Sequence, residues 1–451
     1  MGSLYKVMSK ILFVWPVFHT DQGLQNGVAQ ISGVLKRAGH ETALVMPGED
    51  CSYYDVLKKI RSFQPDFIGF SVTALQRKHV FNLEGFVRRE TDAKLVVGGV
   101  DVILNPEVYT HSDLFDYVCV GEGEEGFLQL ASGQKDPVNF VRRIASSPPR
   151  WVSGEMKSFS YENAPVEDYD IFPFYQIIKK RNGWLGDFFI GRGCPYSCSY
   201  CSNSAIKNKL FPKNPKDYIR FKDINKVLWE IQWGIEHYDN PQMIVFGDDT
   251  FTLNEEYMTA FLFEYTKRIG LPFVCNVRPG TLDSDKAQVL KGAGCYQIKI
   301  GVECGNEQYR KEILKRNESN DKIRETFELA DEYGLSTSAF LMIGLPDETP
   351  DLIMDTLEFV ADLEPDRFKF SVFYPFPGTE LYDYCKEKDL INWPVYDTLE
   401  NYSTKSGLKF DEATRAKIKS VMKDVGKAVN RVLGDDTYWI AHRDYMGVKR
   451  K

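Results

Sequence analysis

The sequence lacks several features that would assign it to other protein classes. No stretch approaches the ~20 apolar residues that a membrane-spanning helix needs, and the chain does not open on a secretory signal with an apolar core. The formal net charge of -8 argues against a general affinity for nucleic acid, because that binding depends on Lys and Arg neutralising phosphates. We therefore expect a cytoplasmic protein with no membrane span and no nucleic-acid partner.

Cysteine is sparse and unevenly placed. Nine cysteines in 451 residues are an odd number, which argues against a disulfide framework in a chain of this length. Six of them are scattered singly, whereas Cys194, Cys198 and Cys201 stand close together. This grouping is the first indication of function. The length predicts two or three domains.

The first third of the chain alternates short apolar runs with amphipathic stretches. Because strands that alternate with helices of about ten residues form parallel sheets covered on both faces, residues 8–135 predict a doubly wound, Rossmann-like α/β domain. No G-x-G-x-x-G motif opens the first helix, so NAD is not favoured. Strands are predicted at 11–14, 41–46, 67–71, 95–97 and 117–120, and helices at 27–38, 53–63 and 79–90.

Small and hydroxyl-bearing residues follow several of these strands. Doubly wound sheets bind ligands beyond the carboxyl ends of their strands, and glycines there let a ligand approach the backbone. Ordinary tight turns would also place glycines at these points, so the glycine pattern alone leaves both interpretations open. The candidate residues are Thr20, Gly23, Ser71, Thr73, Gly98, Gly99, Val100, Gly121 and Glu122.

This set resembles the cobalamin-binding domain that precedes many radical S-adenosylmethionine (SAM) barrels. The resemblance implies that these residues bind cobalamin. The D-x-H-x-x-G motif of the wider cobalamin-binding family is absent, which implies that no protein histidine binds the cobalt. Residues 136–183 hold several prolines and aromatic residues, and we interpret them as a linker.

The grouped cysteines have the spacing C-x3-C-x2-C in a loop that follows a predicted strand at 188–190 and two glycines. A short loop of this kind can supply three thiolates to one [4Fe–4S] cluster, which leaves one iron open to another ligand. A zinc site is the alternative. Zinc usually takes four protein ligands, and no second C-x2-C or H-x3-H pair lies elsewhere in the chain.

Further strand–loop units follow at even intervals. Together with the cysteine-bearing strand they make six, so residues 184–385 predict a partial (β/α)6 barrel with its chemistry at the carboxyl ends of the strands. Residues 386–451 predict a small helical cap in which Trp393 and Trp439 pack. The later strands are predicted at 243–246, 273–277, 297–300, 338–343 and 368–373, and the helices at 224–237, 255–269, 283–291, 321–333 and 349–363.

The cysteine loop and the phrases GVECGNEQYRKEILKR, FLMIGLPDETPD and YPFPGTELYD resemble the cobalamin-associated branch of the radical SAM superfamily. The resemblance implies that the open iron chelates SAM and that the reduced cluster cleaves SAM to a 5′-deoxyadenosyl radical. It also implies an external electron donor of the flavodoxin or ferredoxin type. The residues that it assigns to SAM are Tyr200, Gly247, Asp248, Asp249, Arg278, Glu303, Arg316, Ile343, Gly344 and Leu345.

Several of these residues also have a purely structural interpretation. Asp248 and Asp249 could cap the helix that starts near Glu255, and Glu303 could pair with Lys299. Residues 344–349 could form a turn into a helix. Taken together, their order at successive strand ends favours the functional interpretation.

The resemblance implies a C-methyltransferase of the class B type. One SAM would methylate cobalamin, and a second would yield the radical that takes hydrogen from an unactivated carbon of a peptide, a protein residue or a small natural product. The carbon radical would then take the methyl group. The two cofactor pockets would have to face one cavity.

Other activities remain as alternatives at this stage. The same pair of domains also serves non-methylating radical chemistry, such as oxidation, cyclisation or rearrangement. A binding protein with an inactive cluster is a third candidate. Methylthio transfer is disfavoured, because that branch needs three further N-terminal cysteines and only Cys51 and Cys119 lie there.

Overall fold

The chain divides into two compact units. The computed structural model describes residues 8–18, 23–144, 150–162, 164–399, 405–433, 439–442 and 446–449. The first unit comprises Met1–Arg181 with Ala205–Glu230, and the second comprises Asn182–Ser204 with Ile231–Lys451. The divisions at 204/205 and 230/231 fall inside two helices, Ser202–Leu210 and Ile224–Glu236. Residues 205–230 therefore belong with the first unit, although the sequence groups them with the barrel.

A seven-stranded sheet organises the described part of the first unit, in the order β2-β1-β3-β4-β5-β6-β7. The first five strands are parallel, and β6 and β7 are antiparallel additions. The strands are β1 Lys10–Val14, β2 Glu41–Val45, β3 Phe67–Ser71, β4 Lys94–Gly98, β5 Tyr117–Cys119, β6 Phe140–Ile144 and β7 Arg150–Ser153. The helices are Asn26–Arg37, Tyr53–Phe63, Arg77–Glu90, Val100–Leu104, Pro106–Thr110, Gly123–Ala131 and Phe174–Lys180. The predicted doubly wound fold is confirmed.

The strand order places a topological switch point between β1 and β3, because the chain runs outward in opposite directions from these two strands. Doubly wound sheets bind their ligands in the crevice at such a point. Both strands are apolar because helices cover both faces of the sheet: Leu12 and Ile68 are fully buried in one core cluster. The switch point therefore directs attention to the loops that follow β1 and β3.

Residues 136–183 do more than link two domains. They contain β6 and β7, which extend the first sheet, and the helix Phe174–Lys180. Gly154, just after β7, shows how closely this segment packs: a Cβ there would stand 2.0 Å from the carbonyl oxygen of Pro137. Of the prolines that suggested a linker, Pro137 precedes β6 and Pro173 caps the helix Phe174–Lys180, whereas Pro148 and Pro149 lie outside the described residues.

The second unit contains an eight-stranded sheet, in the order β14-β15-β13-β12-β11-β10-β9-β8 within the described residues. Strands β8 to β13 are parallel, which confirms the predicted partial barrel of six parallel strands. The strands are β8 Trp184–Phe188, β9 Met243–Phe246, β10 Phe273–Val277, β11 Cys295–Glu303, β12 Ser336–Ile343, β13 Arg367–Val372, β14 Trp439–His442 and β15 Met446–Lys449. The helices are Glu255–Arg268, Ser284–Gly292, Glu307–Glu312, Asn320–Glu332, Pro350–Leu363, Glu380–Glu387, Trp393–Tyr396, Glu412–Lys423 and Val425–Leu433.

One predicted detail of this unit is wrong, and another is incomplete, because the C-terminal region has the predicted helices and also two strands. The first strand is Trp184–Phe188 rather than 188–190, so the cysteine loop starts earlier than expected. The C-terminal region is not purely helical, because β14 and β15 form a hairpin that pairs antiparallel with β13. A hairpin of this kind covers an edge strand that would otherwise expose unpaired backbone groups.

The two tryptophans of the predicted cap have different outcomes. Trp393 is 39% exposed and meets Tyr396 edge-on, with ring centroids 5.5 Å apart, so it does not pack as a core residue. The side chain of Trp439 lies outside the described residues. Within the described ranges, no helix combines the length and the apolar character required to cross a lipid bilayer.

Candidate functional site

The cysteine loop is anchored at its centre by Ser199. The backbone amide of Ser199 donates to the carbonyl of Leu314 (3.1 Å), and its hydroxyl donates to the carbonyl of Ile313 (2.6 Å). Its own carbonyl accepts from the amide of Leu381 (2.9 Å). The residue between two of the cysteines is therefore held by two other segments of the barrel.

The start of the loop is held by Asp248, at the end of β9. Its carboxylate accepts from the amides of Ile190 (3.0 Å) and Gly191 (2.9 Å), and its carbonyl accepts from Asn276 (2.8 Å). The carboxylate that we assigned to SAM is thus already engaged with the backbone. Its neighbour Gly247 is required by packing, because a Cβ there would stand 2.5 Å from the ring of Phe189.

The three thiols form one partly buried group. Cys198 is buried, and Cys194 and Cys201 are half-buried. Burial raises the pKa of Cys194 and raises that of Cys201 to about 12, so bound cations would be needed to hold them as thiolates at neutral pH. Iron supplies such a charge.

The cysteines of a [4Fe–4S] cube bind different irons, and three thiols of one short loop match a cube with one open iron. Among the described residues, no three His, Cys, Asp or Glu side chains converge as the ligands of one metal ion would. Cys275 and Cys295 are buried in strands of the unit and Cys304 is buried just after one, so none of them lies in this loop.

Arg278 contacts the buried thiol directly. Its Nη1 donates to the Sγ of Cys198 at 3.2 Å, and its Nε donates to a carboxylate oxygen of Glu318. The guanidinium carbon lies 3.6 Å from the ring centroid of Tyr196. Although burial acts to raise the pKa of Glu318, the neighbouring Arg316 and Arg278 hold it below its ordinary value.

Arg316 joins two other residues that we assigned to SAM, Tyr200 and Glu303. Its Nη1 donates to the carboxylate of Glu303 (2.9 Å) and to the hydroxyl of Tyr200 (3.2 Å), and its Nη2 donates to the carbonyl of Gly301 (2.7 Å). Glu303 therefore has an ion-pair partner in Arg316. Residues far apart in sequence meet here beside the cysteine loop.

Asp249 remains open to solvent. Its carboxylate accepts from the side-chain amide of Asn203 at 2.8 Å, and the protein around it raises its pKa to about 6. A side chain that is exposed and yet desolvated is typical of the wall of a cleft. Neither aspartate caps the following helix, because that position belongs to Asn254, whose side chain accepts from the amide of Tyr257.

The loop after β12 uses its amides internally. Glu348 is buried, and its carboxylate accepts from the amides of Gly344 (2.5 Å) and Leu345 (3.2 Å). The carbonyl of Ile343 accepts from the amide of Phe373. Thr349 caps the following helix, so the turn-into-helix interpretation is also correct. The backbone amides of Gly344 and Leu345, two of the residues that we assigned to SAM, are therefore occupied.

The edge of the first sheet is largely satisfied by its own side chains. The hydroxyl of Ser71 accepts from the side-chain amide of Gln25 at 2.9 Å, and the hydroxyl of Thr73 donates to the side-chain oxygen of Gln76 at 3.1 Å. Val100 is 38% exposed at the start of its helix, whereas Gly23 is buried. Thr20 lies outside the described residues. Small residues and an exposed apolar side chain at a switch point fit a large flat ligand.

The glycines of this edge are needed by the protein itself. Gly99 has φ 110°, and a Cβ there would stand 2.6 Å from the carbonyl oxygen of Val72. At Gly98 a Cβ would meet that of Cys119 at 3.1 Å, and at Gly121 it would meet the side chain of Asn139 at 2.9 Å. Tight packing thus explains these glycines without a ligand, as the tight-turn interpretation held.

Glu122 is committed to an ion pair inside the first unit. Arg220 donates to both of its carboxylate oxygens, at 2.7 and 2.6 Å, and the amide of Phe159 donates to one of them at 2.7 Å. The two side chains are only 15% and 8% exposed. This carboxylate is therefore a structural group rather than a free cobalamin contact.

Sequence reasoning missed several residues of these sites. Each is a polar residue, whether inside a motif, as Tyr196 and Ser199 are, or outside one, and its role depends on a partner that folding brings near. For Glu348 the sequence did offer a signal, because this charged residue lies within the phrase FLMIGLPDETPD. The missed residues are Tyr196, Ser199, Asn203, Arg220, Glu318 and Glu348.

Two family models match the chain. The radical SAM superfamily model matches residues 188–360, and the B12 binding domain model matches residues 21–131. They cover the two regions where the candidate sites lie, in the predicted order.

Full-length relatives cover most of the chain. It is 25% identical over 393 residues to an uncharacterized methyltransferase from Pyrococcus horikoshii, across 83% of this chain and 82% of the relative. It is 24% identical over 409 residues to an anaerobic magnesium-protoporphyrin IX monomethyl ester cyclase from Rubrivivax gelatinosus, across 84% of this chain and 70% of the relative. The two relatives bear the names of different reactions.

A solved structure shares the fold. The radical S-adenosylmethionine methyltransferase TsrM from Kitasatospora setae, with tryptophan and a SAM analog bound, aligns with a TM-score of 0.67 and 17% identity. The alignment covers 84% of this chain and 76% of that one. At this identity the likeness concerns the architecture.

Proposed function

The chain combines a B12-binding domain with a radical SAM domain and so belongs to the cobalamin-dependent radical SAM enzymes; from this premise, we propose that it is a C-methyltransferase. The methyl group would pass from SAM, through cobalamin, to an unactivated carbon of a peptide, a protein residue or a small natural product. The observation that carries the proposal is the cysteine loop, held by Ser199 and Asp248, in the same chain as a doubly wound sheet of the first unit with a switch point between β1 and β3.

Cys194, Cys198 and Cys201 would hold the cluster. When bound, the cluster and SAM supply a carbon radical strong enough to take hydrogen from an unactivated carbon, which protein side chains cannot do. The chain provides the support for this chemistry. Ser199 and Asp248 fix the loop, and Arg278 places a positive charge at one thiol.

The structure narrows the residues that could bind SAM. Asp249 is better placed than Asp248 to meet its amino group, because the carboxylate of Asp248 is taken by backbone amides. Glu303 retains lone pairs for the ribose hydroxyls while Arg316 holds it in place.

Cobalamin would bind at the edge of the first sheet, near the switch point between β1 and β3. Bound there, it would carry the methyl group. Ser71 and Thr73 are held by Gln25 and Gln76, so their hydroxyls are presented in a defined orientation. Val100 offers an exposed apolar contact.

One face of strand β12 is partly exposed, and we propose that it contributes to a substrate-binding surface of the second unit. Phe340 is 36% exposed, although its neighbours Ala339 and Leu341 are buried. The strand register places Gly301 on one side of Phe340 and Lys369 on the other. An exposed ring beside an ammonium group suits a substrate with a flat apolar part and an anionic group.

A second activity has specific support. The similarity to a cyclase, across most of both chains, favours non-methylating radical chemistry as the alternative. Product analysis separates the two.

The test uses the full chain, reconstituted without oxygen with iron, sulfide and cobalamin, then given SAM, a strong reductant and candidate anionic substrates. Bound cobalamin together with 5′-deoxyadenosine, S-adenosylhomocysteine and a methylated product would support the methyltransferase. Deoxyadenosine with an altered but unmethylated product would favour the alternative. If SAM is not cleaved by protein with a full cluster, both enzymatic proposals fail.

A further inference from the structure

We propose that Arg278 raises the reduction potential of the cluster by donating a hydrogen bond to Cys198, and that Glu318 and Tyr196 are the positioning residues that hold Arg278 there. The inference rests on the proposed function, since it assumes a [4Fe–4S] cluster on the three cysteines. Its basis is the 3.2 Å contact between the Nη1 of Arg278 and the Sγ of Cys198.

The guanidinium is held from two sides. Its Nε donates to Glu318, and its carbon lies 3.6 Å from the ring centroid of Tyr196, as in a cation–π contact. Arg278 is only 9% exposed, so little water competes for its N–H groups. A planar guanidinium gripped at its edge and its face keeps the direction of its remaining donors.

The charges around the thiol alternate outward. Arg278 is in contact with the sulfur, Glu318 lies behind it, and the Nε of Arg316 is 3.6 Å from the second carboxylate oxygen of Glu318. Arg316 is in turn paired with Glu303. The pairs balance in number, but the charge nearest to the thiol is positive, and electrostatic interaction weakens with distance.

A nearby donor of this kind favours the reduced cluster. Three thiolates give an oxidised [4Fe–4S] cluster a net negative charge, and the one electron taken from an external reductant makes it more negative. A positively charged N–H group on one sulfur therefore stabilises the reduced form more than the oxidised form. Hydrogen bonds to the sulfurs are among the known determinants of cluster potentials.

The decisive measurement is the midpoint potential of the reconstituted full-length protein, followed by electron paramagnetic resonance in the absence of SAM. Leaving SAM out separates cluster tuning from any contact between Arg278 and SAM. We expect Arg278→Gln to lower the equilibrium constant for one-electron reduction about tenfold, a potential about 59 mV more negative. Arg278→Lys keeps the positive charge but loses the planar, forked guanidinium, so its potential should lie between those of the wild type and Arg278→Gln.

Arg324→Gln is the matched control. Arg324 is a partly exposed arginine of the same unit that pairs with Asp362, and its replacement should leave the potential unchanged. Iron content and visible absorbance establish that each variant holds a full cluster. If Arg278→Gln does not assemble one, the comparison of Arg278→Lys with the wild type supplies the test.

Variants of Glu318 test positioning separately from charge. Glu318→Gln keeps an acceptor for the Nε of Arg278 but removes a negative charge, so the potential should not fall. Glu318→Ala removes the anchor, and the potential should fall toward that of Arg278→Gln. A fall in both variants would instead contradict the positioning role.

The outcomes distinguish this inference from the proposed function. A wild-type protein that holds no cluster would overturn the proposed function. If Arg278→Gln holds a full cluster and its potential equals that of the wild type, this inference alone is overturned. If Arg278→Gln holds no cluster, an unchanged potential in Arg278→Lys overturns it in the same way.

Discussion

The cysteine loop and the edge of the first sheet differ in how they keep their functional groups available. In the loop, three thiols stand within one short segment, and the polar groups around them serve to hold that segment or to meet a thiol. At the sheet edge, most of the predicted ligand residues are engaged with the protein, as Ser71 is with Gln25 and Glu122 with Arg220.

The difference follows from the chemistry of the proposed ligands. A cluster needs covalent ligands of one residue type, so its site can be recognised in the sequence from the spacing of those residues. A large flat cofactor needs space and backbone approach, so its site depends on the shape of a sheet edge. Polar residues at such an edge shape it through their internal contacts.

The largest effect is expected at the loop. Cys198→Ala should abolish the absorbance of the cluster and all cleavage of SAM, because two thiolates cannot replace three. Iron and sulfide content and 5′-deoxyadenosine release measure the outcome. Cys51→Ala, which changes a half-buried thiol of the first unit, is the control and should keep both. Retained SAM cleavage in Cys198→Ala would make the cluster assignment wrong.

The second effect concerns the internal contacts of the sheet edge. Arg220→Ala should destabilise the first unit by about 3 kcal/mol, because it leaves the carboxylate of Glu122 poorly exposed and without its bidentate partner. Urea unfolding followed by a probe in that unit measures the change. The double variant Arg220→Ala with Glu122→Gln should recover part of the loss, and an additive double variant would show that the pair does not interact.

The third effect sharpens the view of the sheet edge as a surface defined by shape. Val100→Trp adds bulk at an exposed position and should weaken cobalamin binding at least tenfold while the cluster forms normally. Gly99→Ala is the contrast: its Cβ would clash with Val72, so it should lower stability as well. Cobalamin absorbance after gel filtration reports binding, and full retention by Val100→Trp would place the cofactor elsewhere.

The smallest effect concerns the loop after β12. Burial raises the pKa of Glu348 from its ordinary value of 4.5 to about 8, so the folded state keeps a proton that the unfolded state loses first. The contribution of Glu348 to stability is therefore full below pH 4.5 and is lost as the pH rises to about 8. We expect Glu348→Gln to lower the free energy of unfolding by roughly 1 kcal/mol at pH 5. At pH 9 the variant should be more stable relative to the wild type than it is at pH 5.

Urea midpoints of the two proteins at pH 5 and pH 9 measure this effect. Asp351→Asn replaces a nearby but exposed acid in the first turn of the following helix, so its pH profile should parallel that of the wild type. A parallel profile for Glu348→Gln would show that Glu348 is ionised in the folded protein at neutral pH.

The sequence predicted elements whose pattern is local. Strands β9 and β10 were predicted with the bounds that the structure has, because each is a short apolar run between polar turns. Strands β6 and β7 were missed because they are partly polar and lie among prolines. Their place in the sheet depends on the pairing of β6 with β5 and of β7 with β6. The local sequence pattern does not reveal such pairing between separate strands.

The sequence by itself determined where three cysteines group and in what order the two folds follow each other, since a contiguous motif and a repeating pattern carry that information locally. Tertiary structure alone decided which charged groups are free. It joined Arg316 to Glu303, Arg278 to Cys198 and Arg220 to Glu122 across gaps in the chain. Such pairs form wherever burial makes an unpaired charge costly, and only the folded backbone determines which partner is within reach.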